Sequence, residues 1–210
     1  MTEASRAALA ILRDPGNLQW YLIPFLAFVI YVYAVEIERR NWNVVLAGLA
    51  FYGLEWALEI GNGLVLHFSG RSAIWTTPGD TAYLLLVGLT IEISMMFAVA
   101  GVVFAKLLPP DRRTKILGIP NRRFFIVLNA VFCVFIEVLL NRGGILVWEY
   151  PWWNFPNVWL IILIGYMPYM ILSFWVHDHP KLRTKITTVA GLFAFDLAAL
   201  AIFAGGLQWI

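Results

Sequence analysis

Six long apolar runs dominate the pattern of hydrophobic and polar positions along the chain. They cover about residues 18–36, 43–66, 82–107, 124–147, 157–176 and 186–209. Each run is long enough to cross a hydrocarbon core of roughly 30 Å as a helix. Because backbone polar groups inside lipid must be satisfied locally, we predict an all-α fold, a polytopic transmembrane helix bundle with about six spans.

The segments between the runs carry the turn-forming and charged residues that end helices. They are residues 39–41, 69–80, 109–123, 151–157 and 177–185. We therefore predict one six-span transmembrane domain over residues 18–210. Residues 1–17 form either an interfacial helix on the membrane or a soluble N-terminal tail, and Asp14-Pro15-Gly16 is unlike the cleavage site of a signal peptide.

Composition supports lipid as the main solvent of this protein. The chain is 61% hydrophobic and 13% charged, with a mean hydropathy of +0.76, whereas soluble domains carry about 25% charged residues. The formal charge of +2 is too small to suggest a nucleic-acid partner. The expected partners are membrane lipids and a hydrophobic small-molecule substrate, and oligomerisation is left open.

The distribution of Lys and Arg among the loops predicts the orientation in the membrane. The first, third and fifth loops hold 11 of these residues, against 4 in the N-terminal tail and the other two loops. By the positive-inside rule, the odd loops are cytoplasmic and both termini lie on the non-cytoplasmic side.

Five carboxylates lie inside the apolar runs, and they are the candidate catalytic residues. They are Glu55, Glu59, Glu92, Glu137 and Asp196. All but Glu59 lie about 10–13 residues from a predicted helix end, which places those four near the bilayer midplane. An ionised carboxylate there costs about 2.5–3.5 kcal/mol, so each needs a partner, water or a proton.

Too few basic side chains lie in the spans to pair with five acids, so we expect some of the acids to be protonated and able to act as general acids. Polar residues continue from Glu55 to Asn62 and from Glu137 to Arg142, which indicates a polar cavity opening outward. The alternative is that these groups only form interhelical hydrogen bonds.

Aromatic and amide side chains accompany the acids and are the candidate substrate-binding residues. They are Trp56, Asn62, Phe97, Asn141, Tyr166 and Phe195. The ring faces of the aromatic members of this set could stabilise a positive charge. The aromatic segment at residues 148–155 is either an interfacial anchor or a structured cap over a cavity. No Asp-rich pair, nucleophile elbow or phosphate loop is present, and we predict neither a metal nor a cofactor.

The arrangement of polar groups resembles that of the sterol isomerases typified by the emopamil-binding protein. The shared features are the polar pair Glu55 and Glu59, the loop Gly79-Asp80 before Glu92, and a Pro-containing loop before an aromatic helix with Trp159 and Tyr166. That family has His where Glu55 stands here, and its Asn-x-x-Trp motif has no clear counterpart.

The chain is also similar to the membrane-embedded terpene cyclases of fungal meroterpenoid pathways, with Glu55 or Glu59 and Asp196 as the matching acids. Those proteins have seven spans where six are predicted here. Both resemblances imply an enzyme that protonates an alkene in a membrane pocket.

The leading hypothesis is therefore an enzyme that isomerises, cyclises or hydrates a carbon–carbon double bond of an isoprenoid, terpenoid or other lipid. Glu92 or Asp196 would donate the proton, and Glu55, Glu59 or Glu137 would accept one. The alternatives are a proton-coupled small-molecule transporter and a non-catalytic membrane subunit.

Overall fold

Helices account for most of the computed structural model, which describes all 210 residues. An N-terminal helix, α1 (Glu3–Ile11), precedes six longer ones. These are α2 (Leu22–Glu38), α3 (Trp42–Ser69), α4 (Ile91–Lys106), α5 (Asn121–Arg142), α6 (Val158–Asp178) and α7 (Leu182–Gly206). The predicted all-α membrane bundle is confirmed.

Four of the helices, α3, α5, α6 and α7, have the length and hydropathy to cross a membrane. Helices α2 and α4 have 17 and 16 residues. Because α4 is only about 24 Å long at 1.5 Å per residue, it is shorter than a hydrocarbon core of roughly 30 Å, and the chain before it is not helical.

The predicted helical span over residues 82–107 is therefore too long at its start. Its first part is a short antiparallel hairpin, β2 (Leu84–Leu86) with β3 (Leu89–Thr90), and Thr90 then caps α4 by accepting the N–H of Ile93. The predicted span over 124–147 is likewise too long, since α5 ends at Arg142 and a strand follows, β6 (Val147–Trp148).

Residues 70–90 and 143–157 form a cap over one end of the bundle, and apart from one 3-10 turn at Pro151–Trp153 this cap is non-helical. The two segments are joined by antiparallel pairing of β1 (Trp75–Thr76) with β6, in which Trp75 faces Trp148. Helix α1 is held to this cap because the Glu149 carboxylate accepts hydrogen bonds from Thr2 and Ser5, at 2.8 and 3.0 Å. Both termini lie at the cap, since Arg13 donates to the backbone carbonyl of Ile210.

The opposite end of the bundle, formed by residues 36–43, 106–122 and 177–185, is called the basic end. Here Lys106 pairs with the buried Glu36 at 2.6 Å, tying α4 to α2. Arg122 at the start of α5 donates two hydrogen bonds, of 2.8 and 2.9 Å, to Asp178 at the end of α6. A small hairpin, β4 (Lys115–Ile116) with β5 (Ile119–Pro120), turns the chain from α4 into α5.

Helix α3 is the centre of the bundle, because α4, α6 and α7 all pack against it. Of its most apolar stretch, 61% is buried, against 17% for α5 and for α7. The outer helices expose large apolar side chains, as expected where lipid is the solvent. The protein is therefore an integral, multi-pass membrane protein.

The crossing of α3 and α4 depends on two glycines that face each other. A Cβ atom on Gly101 would lie 2.7 Å from the Phe51 Cβ and 2.9 Å from the Gly48 carbonyl oxygen. Small residues of this kind let membrane helices approach closely. We expect Gly101→Ala to lower the free energy of unfolding in detergent by about 1–3 kcal/mol, as overpacking does.

The matched control is Gly191→Ala on α7, where an added Cβ would meet no atom within 4 Å. It should leave stability unchanged or raise it slightly, because alanine favours helix. Equal losses of stability in the two variants would contradict the close crossing.

Candidate functional site

A cavity of about 470 Å³ lies under the cap, between α3, α4, α5 and α6. Of its 28 lining residues, 21 are hydrophobic, so the predicted polar lining is wrong. The volume is in the range of small-molecule sites, which combine an apolar lining with a few placed polar groups. The polar groups here are three carboxyls, an amide and two tyrosines.

The three carboxyls belong to Glu55, Glu59 and Glu137. The first two are spaced i, i+4 on α3, so they project from the same face of that helix, and their exposures are 3% and 2%. Glu137 lies on α5 and is half-buried. It lies five residues before the end of α5, closer to the cap than the midplane position predicted for it.

Each of these acids accepts a hydrogen bond from an aromatic side chain. The Tyr169 hydroxyl donates to Glu55, the Trp75 indole N–H donates to Glu59 at 2.7 Å, and the Tyr166 hydroxyl donates to Glu137 at 2.9 Å. The second oxygens of Glu59 and Glu137 are buried without a hydrogen-bond partner. No Lys, Arg or His side chain lines the cavity to compensate the charge of these acids.

The backbone of α6 shapes the wall that carries the two tyrosines. Residues Ile161–Tyr166 form a π-helical segment, and Pro168 follows two residues after its end, in the α-helical part. A π segment inserts extra backbone into the helix and redirects its side chains, and such segments are common at functional sites. It brings Tyr166 and Tyr169 to the same cavity.

Aromatic rings surround the acids on the remaining sides. Phe51 and Phe97 lie 5.1 and 5.6 Å from the Tyr169 ring, centroid to centroid. On the cap side, Trp75 stacks on Trp153 at 5.9 Å. Because Trp153 lines the cavity, the aromatic segment of residues 148–155 is part of a cap over a cavity, one of the two predicted alternatives.

Asn62 helps to hold this roof. Its carboxamide oxygen accepts the backbone N–H of Ile74 at 2.7 Å, and its NH₂ group donates to the Trp75 carbonyl at 2.8 Å. Gly88 lies directly beneath, where a Cβ atom would come within 2.6 Å of the Trp75 ring. Asn62 lines the cavity, as predicted for a binding residue. Its amide, however, is used to hold Trp75 in place, and Trp75 in turn donates the indole N–H to Glu59.

Glu92 lies outside the cavity, and its predicted mid-helix position is wrong. It is in the first turn of α4, because the helix begins at Ile91 after the hairpin. Its carboxylate accepts hydrogen bonds from Tyr21, Thr81 and the Ala82 N–H, at 2.6, 2.6 and 2.7 Å. Glu92 therefore joins the segment before α2 to the cap.

Replacing Glu92 by Ala removes three hydrogen bonds, two of them from groups in the cap. We expect a loss of about 1–3 kcal/mol in stability and faster hydrogen–deuterium exchange at the Ala82 amide. Glu38→Ala is the control, since that exposed carboxylate at the end of α2 has no hydrogen-bond or ion-pair partner. Unchanged exchange at Ala82 would show that Glu92 does not hold the cap.

Four other predicted site residues also lie outside the cavity. Asp196 is buried on α7 with both carboxyl oxygens unpartnered, and Phe195 beside it is 58% exposed on the outer surface of the bundle. Trp56 faces a smaller pocket between α2, α3 and α4. Asn141 donates its NH₂ to the Leu146 carbonyl at 3.1 Å, which closes the turn after α5. Of the predicted binding residues, Asn62, Phe97 and Tyr166 line the cavity.

Trp75, Trp153 and Tyr169 are cavity residues that the predicted site omitted. Trp75 sits in a loop interpreted as a separator between spans, and its pairing with β6 and its hydrogen bond with Asn62 hold it over the cavity. Tyr169 follows Glu55 by 114 residues, and no spacing in the sequence signals that bond.

Comparison with known proteins places the whole chain in a family. A family model described as "Uncharacterized membrane protein family" matches residues 2–205. An uncharacterized protein of Archaeoglobus fulgidus is 49% identical over 209 residues, all of this chain and 99% of the relative. A second uncharacterized protein of that organism is 43% identical over 55 residues, 26% of this chain and 98% of the relative. No solved structure matches the chain.

Proposed function

The chain belongs to the uncharacterized membrane protein family, and from that premise we propose that it is a membrane-embedded enzyme acting on a carbon–carbon double bond of a lipid. The supporting observation is the cluster of Glu55, Glu59 and Glu137 around one apolar cavity with no basic side chain in its lining. Three uncompensated carboxylates in such a site would be costly, so at least one carries a proton.

Glu137 is the proposed proton donor. It is half-buried and lines the cavity, whereas Glu55 and Glu59 are almost fully buried. One oxygen of Glu137 holds the Tyr166 hydroxyl, and the other has no partner in the protein. A proton on that second oxygen faces no competing acceptor, which suits a general acid.

In the proposed reaction, Glu137 transfers its proton to one alkene carbon, so the π electrons form a C–H bond and the adjacent carbon becomes positive. The rings of Phe51, Phe97 and Tyr169 stabilise this charge through their faces. Loss of a proton from a neighbouring carbon to Glu55 or Glu59 forms the double bond at a new place. Cyclisation by a second alkene, or capture by water, are the other outcomes of the same cation.

The resemblance to sterol isomerases and terpene cyclases remains part of this proposal. In this proposal Glu137 takes the proton-donor role first expected of Glu92 or Asp196. The proposed orientation puts the basic end in the cytoplasm and the cap with both termini on the other side, following the positive-inside rule.

The test is untargeted lipid profiling of cells that lack the gene and are complemented with variants. Wild type and Glu38→Gln, which changes an exposed carboxylate remote from the cavity, should restore the same lipid species, and Glu137→Gln should not. Restoration by Glu137→Gln would exclude the proposed donor. Unchanged lipids together with solute uptake that collapses with the pH gradient would favour the transporter alternative.

A further inference from the structure

The walls of the cavity are incomplete on two sides, and both openings lie between helices of the bundle. One is between α4 and α5, which do not pack against each other along their length. The other is between α3 and the π segment of α6, because α3 packs instead against the later part of α6, Met167–Asp178.

The residues at the first opening are large, apolar and exposed. Met96 on α4 is 45% exposed and Phe132 on α5 is 53% exposed, and both line the cavity. Phe132 is near the middle of α5, with 11 residues before it and 10 after it in the helix. At that depth the surrounding solvent is hydrocarbon.

The second opening has the same character. Ile164 is 56% exposed and Trp152 is 45% exposed. Gly61 on α3 borders open space, since a Cβ atom added there would meet no atom within 4 Å. All three residues line the cavity. Neither rim carries a charged side chain.

We infer that the cavity receives a hydrocarbon chain of a membrane lipid directly from the bilayer, through these apolar openings between the helices. The identification of that chain as a substrate rests on the proposed function, whereas its entry does not. Water-soluble ligands would have to leave water for an apolar rim, and a lipid chain exchanges one apolar environment for another. The reacting double bond would therefore lie within a lipid chain, and the polar head of the lipid would stay outside the cavity.

Photolabelling tests this entry route without requiring turnover. The protein is reconstituted in phosphatidylcholine vesicles in which some molecules carry an alkyl diazirine in the acyl chain, and the labelled residues are mapped by mass spectrometry. The cavity residues Cys133 and Glu137 should be labelled together with the outward-facing Val131. Labels confined to outward-facing positions would overturn the inference, as would stronger cavity labelling by a water-soluble diazirine than by the lipid.

A matched pair of variants tests whether the lipid chain reaches Cys133 through the cavity. Ala100→Trp places a bulky ring on the cavity face of α4 and should lower Cys133 labelling about tenfold, a loss typical of overfilling a site. Val103→Trp adds the same ring on the exposed side of α4, outside the cavity lining, and should leave labelling unchanged. Equal labelling of Cys133 in both variants would overturn entry of the lipid chain into the cavity.

Labelling also separates this inference from the proposed reaction. Glu137→Gln should label at Cys133 as the wild type does, because the substitution preserves the shape of the cavity. Loss of lipid turnover with intact labelling bears on the reaction alone. Turnover that persists without cavity labelling overturns the entry route.

Discussion

Glu137→Gln is expected to reduce lipid turnover by about 100- to 10,000-fold, the usual contribution of a positioned general acid. The amide keeps the shape of the side chain and an oxygen for the Tyr166 hydroxyl, but it has no proton of comparable acidity to transfer. The rate of product formation by purified protein in vesicles of extracted lipid measures the effect. Thermal unfolding of the same sample should be close to that of the wild type.

Two controls make this result specific to the cavity. Glu38→Gln removes an exposed carboxyl of the same type and should keep the wild-type rate. Glu92→Gln changes an acid in the first turn of α4 that binds the cap instead of the cavity, and it should act on stability more than on rate. A Glu137→Gln protein as active as Glu38→Gln would remove Glu137 from the reaction.

Arg122→Ala is expected to lower the free energy of unfolding by about 3 kcal/mol, the scale for removing one partner of a poorly solvated ion pair. The Arg122 and Asp178 side chains are only 16% and 14% exposed. Arg122 also donates to the Pro109 carbonyl at 2.7 Å. Its loss would free α5 from α6 and from the preceding loop at the basic end.

Arg123→Ala is the matched control, because Arg123 is exposed and forms no ion pair. It should change stability by less than about 0.5 kcal/mol, as surface substitutions usually do. Chemical unfolding in detergent measures both variants. Similar losses from the two substitutions would mean that general positive charge, and not the pair with Asp178, stabilises this end.

The sequence was sufficient to predict the helical bundle because hydropathy alone identifies long apolar runs. The sequence was not sufficient where a single apolar run contains two secondary-structure elements. Residues 82–107 form one apolar stretch in the sequence, and periodicity cannot separate a buried hairpin from a buried helix within it. The pairing of Leu84 with Thr90 shows that α4 begins only at Ile91. The mid-helix position predicted for Glu92 was wrong because the start of the helix had been placed too early.

The candidate site was predictable in part for a similar reason. Carboxylates in apolar runs are costly wherever they lie, so Glu55, Glu59 and Glu137 could be singled out without a structure. Their common cavity could not, because it depends on the π segment of α6 and on the cap. Asp196 carries the same signal in the sequence and lies outside the cavity, so burial of an acid alone does not identify a site.

The central claim is that a carboxylic acid of this cavity transfers a proton to carbon, and turnover in D₂O tests it most directly. Wild-type protein should form a product that carries deuterium bound to carbon, since its acids exchange with solvent before they react. The triple variant Glu55→Gln, Glu59→Gln, Glu137→Gln should form none. Product from wild-type protein without carbon-bound deuterium, or equal incorporation by the triple variant, would contradict the claim.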